Sequence, residues 1–135
     1  MININDKLFR AIDGEELTNC IGTALFLVGE IDEERVVWDT EEIIRYLSRL
    51  KVLEKPEKGC IVSWEDKFSR CINPAHVGIV TNIDPLLVTS RAGIYREGVG
   101  NRPIIQDYPV EFIDEDIGPG LIRKYYKPRE EISFD

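Results

Sequence analysis

The spacing of apolar residues changes near Pro56: the chain before it reads as helices, and the chain after it as short apolar runs separated by turn residues. Helical and strand periods bury different faces, so this order specifies an α+β fold in which N-terminal helices pack on a C-terminal antiparallel sheet. In the first part, a short segment from Asp6 to Ala11 ends at the Asp13-Gly14 turn. Cys20 to Val28 is apolar at almost every position; Thr18 or Asn19 can cap a first helical turn, and Gly29 stands where a helix can stop. The expectation is a buried helix, with a buried strand as the competing reading. Thr40 to Lys51 is the clearest helix, because Asp39 and Glu42 have capping-box spacing and Ile43, Ile44, Leu47 and Leu50 share one face.

Beyond Gly59 the runs Cys60 to Trp64, His76 to Thr81 and Leu86 to Thr89 read as strands. The breaks at Asn73-Pro74 and at Asn82 to Pro85 are turn chemistry, and such short connections imply an antiparallel meander. Gly93 to Gly100 and Pro103 to Ile113 add a loop and one or two further strands. Asp114 to Gly120 reads as a turn, and the charged tail from Lys124 as peripheral. No repeat or long linker divides the chain. Its 135 residues, 43% of them hydrophobic, suffice for one core, so residues 1–135 are read as one domain.

Charge narrows the partners. With 25 acidic and 17 basic side chains the formal net charge is -8, which repels a nucleic-acid backbone or an anionic bilayer, so neither nucleic acid nor membrane is an expected partner. Met1 to Arg10 lacks the apolar run of a signal peptide, which points to a cytoplasmic protein. The three cysteines, at 20, 60 and 71, have neither the spacing of a disulfide framework nor that of a CxxC knuckle, so free thiols are expected. Zinc held by Cys60, Cys71 and His76, with or without Cys20, lacks compact paired ligands. No metal or organic cofactor is expected.

His76 is the only histidine, so chemistry that needs an imidazole base near neutral pH must use it. Cys20 falls at the expected N-terminus of a buried helix, where unpaired amides and the helix dipole favour the thiolate. If the sheet packs on that helix, the strand that begins at His76 brings base and nucleophile together, as covalent acyl transfer requires. The blander alternative is a buried, inert cysteine and a histidine satisfied by a local hydrogen bond.

Three stretches carry a family resemblance: Asn19-Cys20-Ile21-Gly22, then Pro56-Glu57-Lys58-Gly59-Cys60-Ile61-Val62-Ser63-Trp64, then His76-Val77-Gly78-Ile79-Val80. In this order they resemble the motifs of the NlpC-type papain-like cysteine hydrolases: Asp-Cys-Ser-Gly opening a helix, Pro-x-x-Gly-Asp-Leu-Val-Phe-Phe, and His-Val-Gly-Ile-Tyr opening a strand. The resemblance runs from Leu17 to Tyr108 and implies a papain-like architecture with Cys20 as nucleophile and His76 as base. It also places the third polar residue at Thr89 or Ser90, where the family has His, Asn or Gln. Other departures are Asn19 for Asp, Ile21 for Ser and Cys60 for Asp.

The function implied is a thiol-dependent amide or peptide hydrolase or acyltransferase that works through an acyl-thioester. Its substrate is a peptide or small amide in the cytoplasm, since the wall-lytic members are generally exported. Gln106 is an alternative group for orienting His76. The oxyanion hole is expected from the Cys20 amide, with Asn19 as a second donor or as a helix cap. Arg91, Arg96 and Arg102, around the Gly98-Val99-Gly100 loop, are candidates to hold a substrate carboxylate or phosphate, or else lie on a solvated edge. The alternative function is a catalytically inactive binding or regulatory module whose contact surface is the loop from Arg91 to Arg102.

Overall fold

The computed structural model describes residues 1–68, 72, 74–92 and 100–135. Among these the chain runs β1 (Ile2–Asn3), α1 (Ile4–Asp13), α2 (Cys20–Leu27), α3 (Thr40–Ser48), β2 (Lys51–Leu53), β3 (Ile61–Asp66), β4 (Pro74–Asn82), β5 (Leu87–Arg91), β6 (Ile104–Pro109), α4 (Val110–Ile117), β7 (Leu121–Lys127) and β8 (Ile132–Ser133). Six strands form one antiparallel sheet in the order β2-β7-β3-β4-β5-β6, and β1 pairs in parallel with β8. The α+β class and the meander from β3 to β6 are as the sequence indicates. No described helix is long and apolar enough to cross a membrane.

Alternation along the strands gives the sheet two apolar faces. Ile61, Val77, Ile79 and Tyr126 meet the N-terminal helices on one side, and Val62, Trp64, Val80 and Val88 meet Val110 and Ile113 of α4 on the other. Helix α2 is the centre of the first layer. Every residue from Ile21 to Leu27 is buried, so the helix is apolar all round because it has no solvent face. Leu25 and Leu27, 0% and 1% exposed, each contribute about 2 kcal/mol of burial. The strand alternative for this segment does not hold.

Three expectations about the elements need correction. Helix α3 stops at Ser48, and Lys51 begins β2 instead. Its N-cap is Asp39 as expected, accepting the Glu41 N–H at 2.9 Å, but the capping box is only half made because Glu42 is drawn to Arg35 at 2.6 Å. The stretch read as an Asp114 to Gly120 turn lies largely within α4, which buries Val110 and Ile113 and is pinned to β3 where the Trp64 indole N–H donates to Asp114 at 2.7 Å. The charged tail from Lys124 is not peripheral. It belongs to β7, which lies between β2 and β3 with Tyr126 2% exposed.

Candidate active site

Cys20 is the first residue of α2, set there by a specific cap. Asn19 accepts the Gly22 N–H at 2.9 Å and the Val37 N–H at 3.3 Å, and its own amide donates to the Val37 carbonyl at 2.9 Å. The side chain thus starts the helix and clamps the segment that returns past it. That segment passes so close that a Cβ at Gly22 would lie 1.8 Å from the Arg35 carbonyl oxygen, so only glycine fits at this position. Of the two roles expected of Asn19, the helix cap is the one these bonds make, and the side chain also borders the cavity that Cys20 lines.

The partly buried Cys20 thiol faces β4. Burial raises its pKa above the usual thiol value, and the N–H groups of Val77, Ile21 and Cys20 itself oppose that shift without overcoming it. The expected dipole-favoured thiolate is thus outweighed by desolvation in the resting protein. The Val77 N–H tethers the sulfur to the strand residue that follows His76.

His76 is the third residue of β4. Its ring stacks at a tilt on Trp64, with centroids 5.5 Å apart, and its Nε2 lies 2.9 Å from Ser90 Oγ on the neighbouring strand. Burial lowers its pKa from the ordinary 6.5 to about 4, so the imidazole is neutral at pH 7. The contact with Ser90 depends on Gly78, two residues along the same face. A Cβ there would sit 2.6 Å from Val88 Cγ1 and 2.9 Å from Ser90 Cβ and push β5 away. No hydrogen bond joins the Cys20 thiol to the His76 ring among the described contacts.

Of the two hydroxyls expected at the third position, Ser90 reaches His76. Thr89 does not: strand alternation turns it aside, and its Oγ1 accepts the Asp107 N–H at 3.1 Å. Gln106 is exposed on β6 and does not line the His76 cavity. Arg91 is no substrate clamp either. It is buried, pairing with Glu34 at 3.0 Å and donating to Thr23 Oγ1 at 2.8 Å and to the Arg102 carbonyl at 2.7 Å, so it ties β5 to α2 and to the segment after it. Arg96, Cys71, Asn73 and the Gly98-Val99 part of the loop lie outside the described residues. Cys60 is buried against Val62 and Trp64, and burial pushes its thiol up to about 11.

Cys20, His76 and Ser90 open on one cavity of about 630 Å³, to which Tyr108 and Asp116 also contribute. Tyr108 and Asp116 are not singled out by the sequence, because the acidic residues from Glu111 to Asp116 mask the helix that brings Asp116 in. Among the described residues no three His, Cys, Asp or Glu side chains converge as a metal-ligand set. The arrangement sets a thiol, a neutral imidazole and a hydroxyl bound to its Nε2 around one cavity, the group types that acyl transfer uses. Comparison with protein-family models, with curated proteins and with solved structures found no match to this chain.

Proposed function

We propose that this chain is a thiol-dependent amide or peptide hydrolase or acyltransferase of NlpC-type, papain-like arrangement, with Cys20 as nucleophile, His76 as general base and Ser90 as the residue that orients His76. The observation that carries the reading is that all three side chains line one cavity, with Ser90 Oγ 2.9 Å from His76 Nε2. When Nε2 donates its proton to Ser90, Nδ1 is the bare nitrogen and the ring is a base. As Sγ attacks the substrate carbonyl carbon, the thiol proton passes to Nδ1 and the carbonyl π pair moves to oxygen. On this reading the Cys20 N–H, at the start of α2, turns from the sulfur to that oxyanion. Collapse breaks the C–N bond, His76 returns the proton to the departing amine, and an acyl-thioester remains. Water or a second amine, deprotonated by His76, then releases the acyl group and restores the thiol. The substrate on this reading is a peptide or small amide in the cytoplasm.

The raised Cys20 pKa fits this reading only if proton transfer and attack are concerted, since no standing thiolate is available. The same fact favours a second reading, in which the cavity binds a ligand without chemistry. Intact-protein mass spectrometry after exposure to a p-nitrophenyl ester separates the two. The enzyme reading expects one acyl adduct, mapped to Cys20, absent in Cys20→Ala and at least tenfold slower to form in His76→Ala. Ser90→Ala is expected to slow it about tenfold, the worth of one orienting hydrogen bond. Absence of any adduct on Cys20, or equal labelling in His76→Ala, would overturn it.

A further inference from the structure

The geometry points to a neutral, apolar acyl group as the part of the substrate held in the cavity, a specificity that rests on the reading of Cys20 as acyl acceptor. Five separate elements turn apolar side chains onto this one space: Ile21 from α2, Trp38 from the segment before α3, Ile43 from α3, Ile105 from β6, and Ile113 and Ile117 from α4. Trp38 is 70% exposed and Ile105 41%. A single exposed apolar side chain is ordinary, but these two border the same cavity as the isoleucines and the thiol, so exposed apolar surface and Cys20 share one space.

Charge points the same way. Asp116 is the one charged side chain among the described residues lining the cavity, and the protein as a whole carries a net charge of -8. Of the two described arginines that are candidates to meet a substrate carboxylate, Arg91 is committed to Glu34 and Arg102 does not line this cavity. A carboxylate-bearing acyl group, such as the γ-glutamyl group of a wall peptide, would meet the like charge of Asp116 and no described cation among the residues lining the cavity. An aliphatic or aromatic acyl chain gains from every methylene that the isoleucine walls cover, roughly fourfold in affinity for each one fully buried.

The test uses Cys20→Ala, which cannot be acylated, or Cys20→Ser for the same titration. The variant is titrated with the N-methylamides of acetic, butyric and hexanoic acids and with the mono-N-methylamide of adipic acid. Binding is read by calorimetry and by Trp38 emission, with Trp38→Phe identifying that signal against the buried Trp64. The expected result is affinity rising about threefold to fourfold per methylene from acetyl to hexanoyl, with the adipic compound at least tenfold weaker than the hexanoic one. Affinity that is flat with chain length, or an adipic compound that binds as well as the hexanoic one, overturns the inference, and this includes any contribution from Arg96. Ester acylation of the wild type is scored separately. Chain-length-dependent binding without an acyl-thioester removes the catalytic reading and leaves the ligand class standing. An acyl-thioester formed without apolar preference removes the ligand class alone.

Discussion

His76 is the only histidine in the chain, so its burial can be read directly from the pH dependence of stability. Its folded-state pKa is about 4 against an unfolded value of 6.5. Between those values the unfolded chain binds the proton and the folded chain does not, so stability rises with pH through the window and is lost as pH falls from about 6.5 toward 4. Linkage puts the loss between pH 7.5 and pH 5 at about 2 kcal/mol, and the full loss below pH 4 at about 3 kcal/mol. With a urea slope of about 2 kcal/mol per molar, the first figure is a midpoint shift of about 1 M. Carboxylates titrate in the same range, so the measurement is the difference between wild type and His76→Gln, which removes the imidazole while leaving an amide to face Ser90. Urea unfolding at pH 7.5 and pH 5 should show the wild type losing about 2 kcal/mol more than the variant. An equal loss in both proteins, or a single imidazole NMR signal titrating near 6.5, would refute the claim that burial holds this ring neutral.

Other consequences follow from the same geometry. Because desolvation raises the Cys20 pKa, iodoacetamide should alkylate it slowly at pH 7 and faster only above about pH 9, measured by peptide mass spectrometry; a rapid reaction at pH 6 would contradict the neutral resting pair. Replacing Arg91 with Ala leaves Glu34 buried without its partner and should cost about 3 to 5 kcal/mol by urea or thermal unfolding, whereas an exposed substrate-binding arginine would cost almost nothing. Gly78→Ala should destabilise by about 1 to 3 kcal/mol and slow Cys20 acylation, because the new methyl displaces Ser90 and Val88; unchanged stability and rate would show that β5 does not depend on that close approach.

The helical first half and the meander were legible because their apolar periods are nearly undisturbed. Cys20, Asn19 and Gly29 marked the ends of α2, and His76 headed a run that could only be a strand. Helix α4 was obscured by Glu111, Asp114, Glu115 and Asp116, which look like a solvated turn until Trp64 is seen to hold Asp114. Strand β7 was hidden for a related reason: Arg123 and Lys124 interrupt its alternation, and burial of Tyr126 depends on Glu65, a carboxylate sixty-one residues away that accepts its hydroxyl at 2.7 Å. At the site, the sequence narrowed the candidate thiol and imidazole to Cys20 and His76 but left Thr89 and Ser90 open, since adjacent strand residues face opposite sides of a sheet and a one-residue change of register exchanges them. The buried role of Arg91 was hidden because an arginine looks the same in sequence whether it faces solvent or a buried carboxylate.

The position of β7 bears on how the molecule is made. Between β2 and β3 the sheet has a gap that residues 121–127 fill, so during vectorial synthesis β3 presents an unsatisfied edge until those residues have been made. Trp64, against which the His76 ring rests, belongs to that edge strand, and the α4 carboxylate that receives its indole N–H also comes late in the chain. The His76 ring therefore has its full surroundings only once β7 is in place, and a nascent chain can hold a complete Cys20 helix long before the cavity beside it is complete.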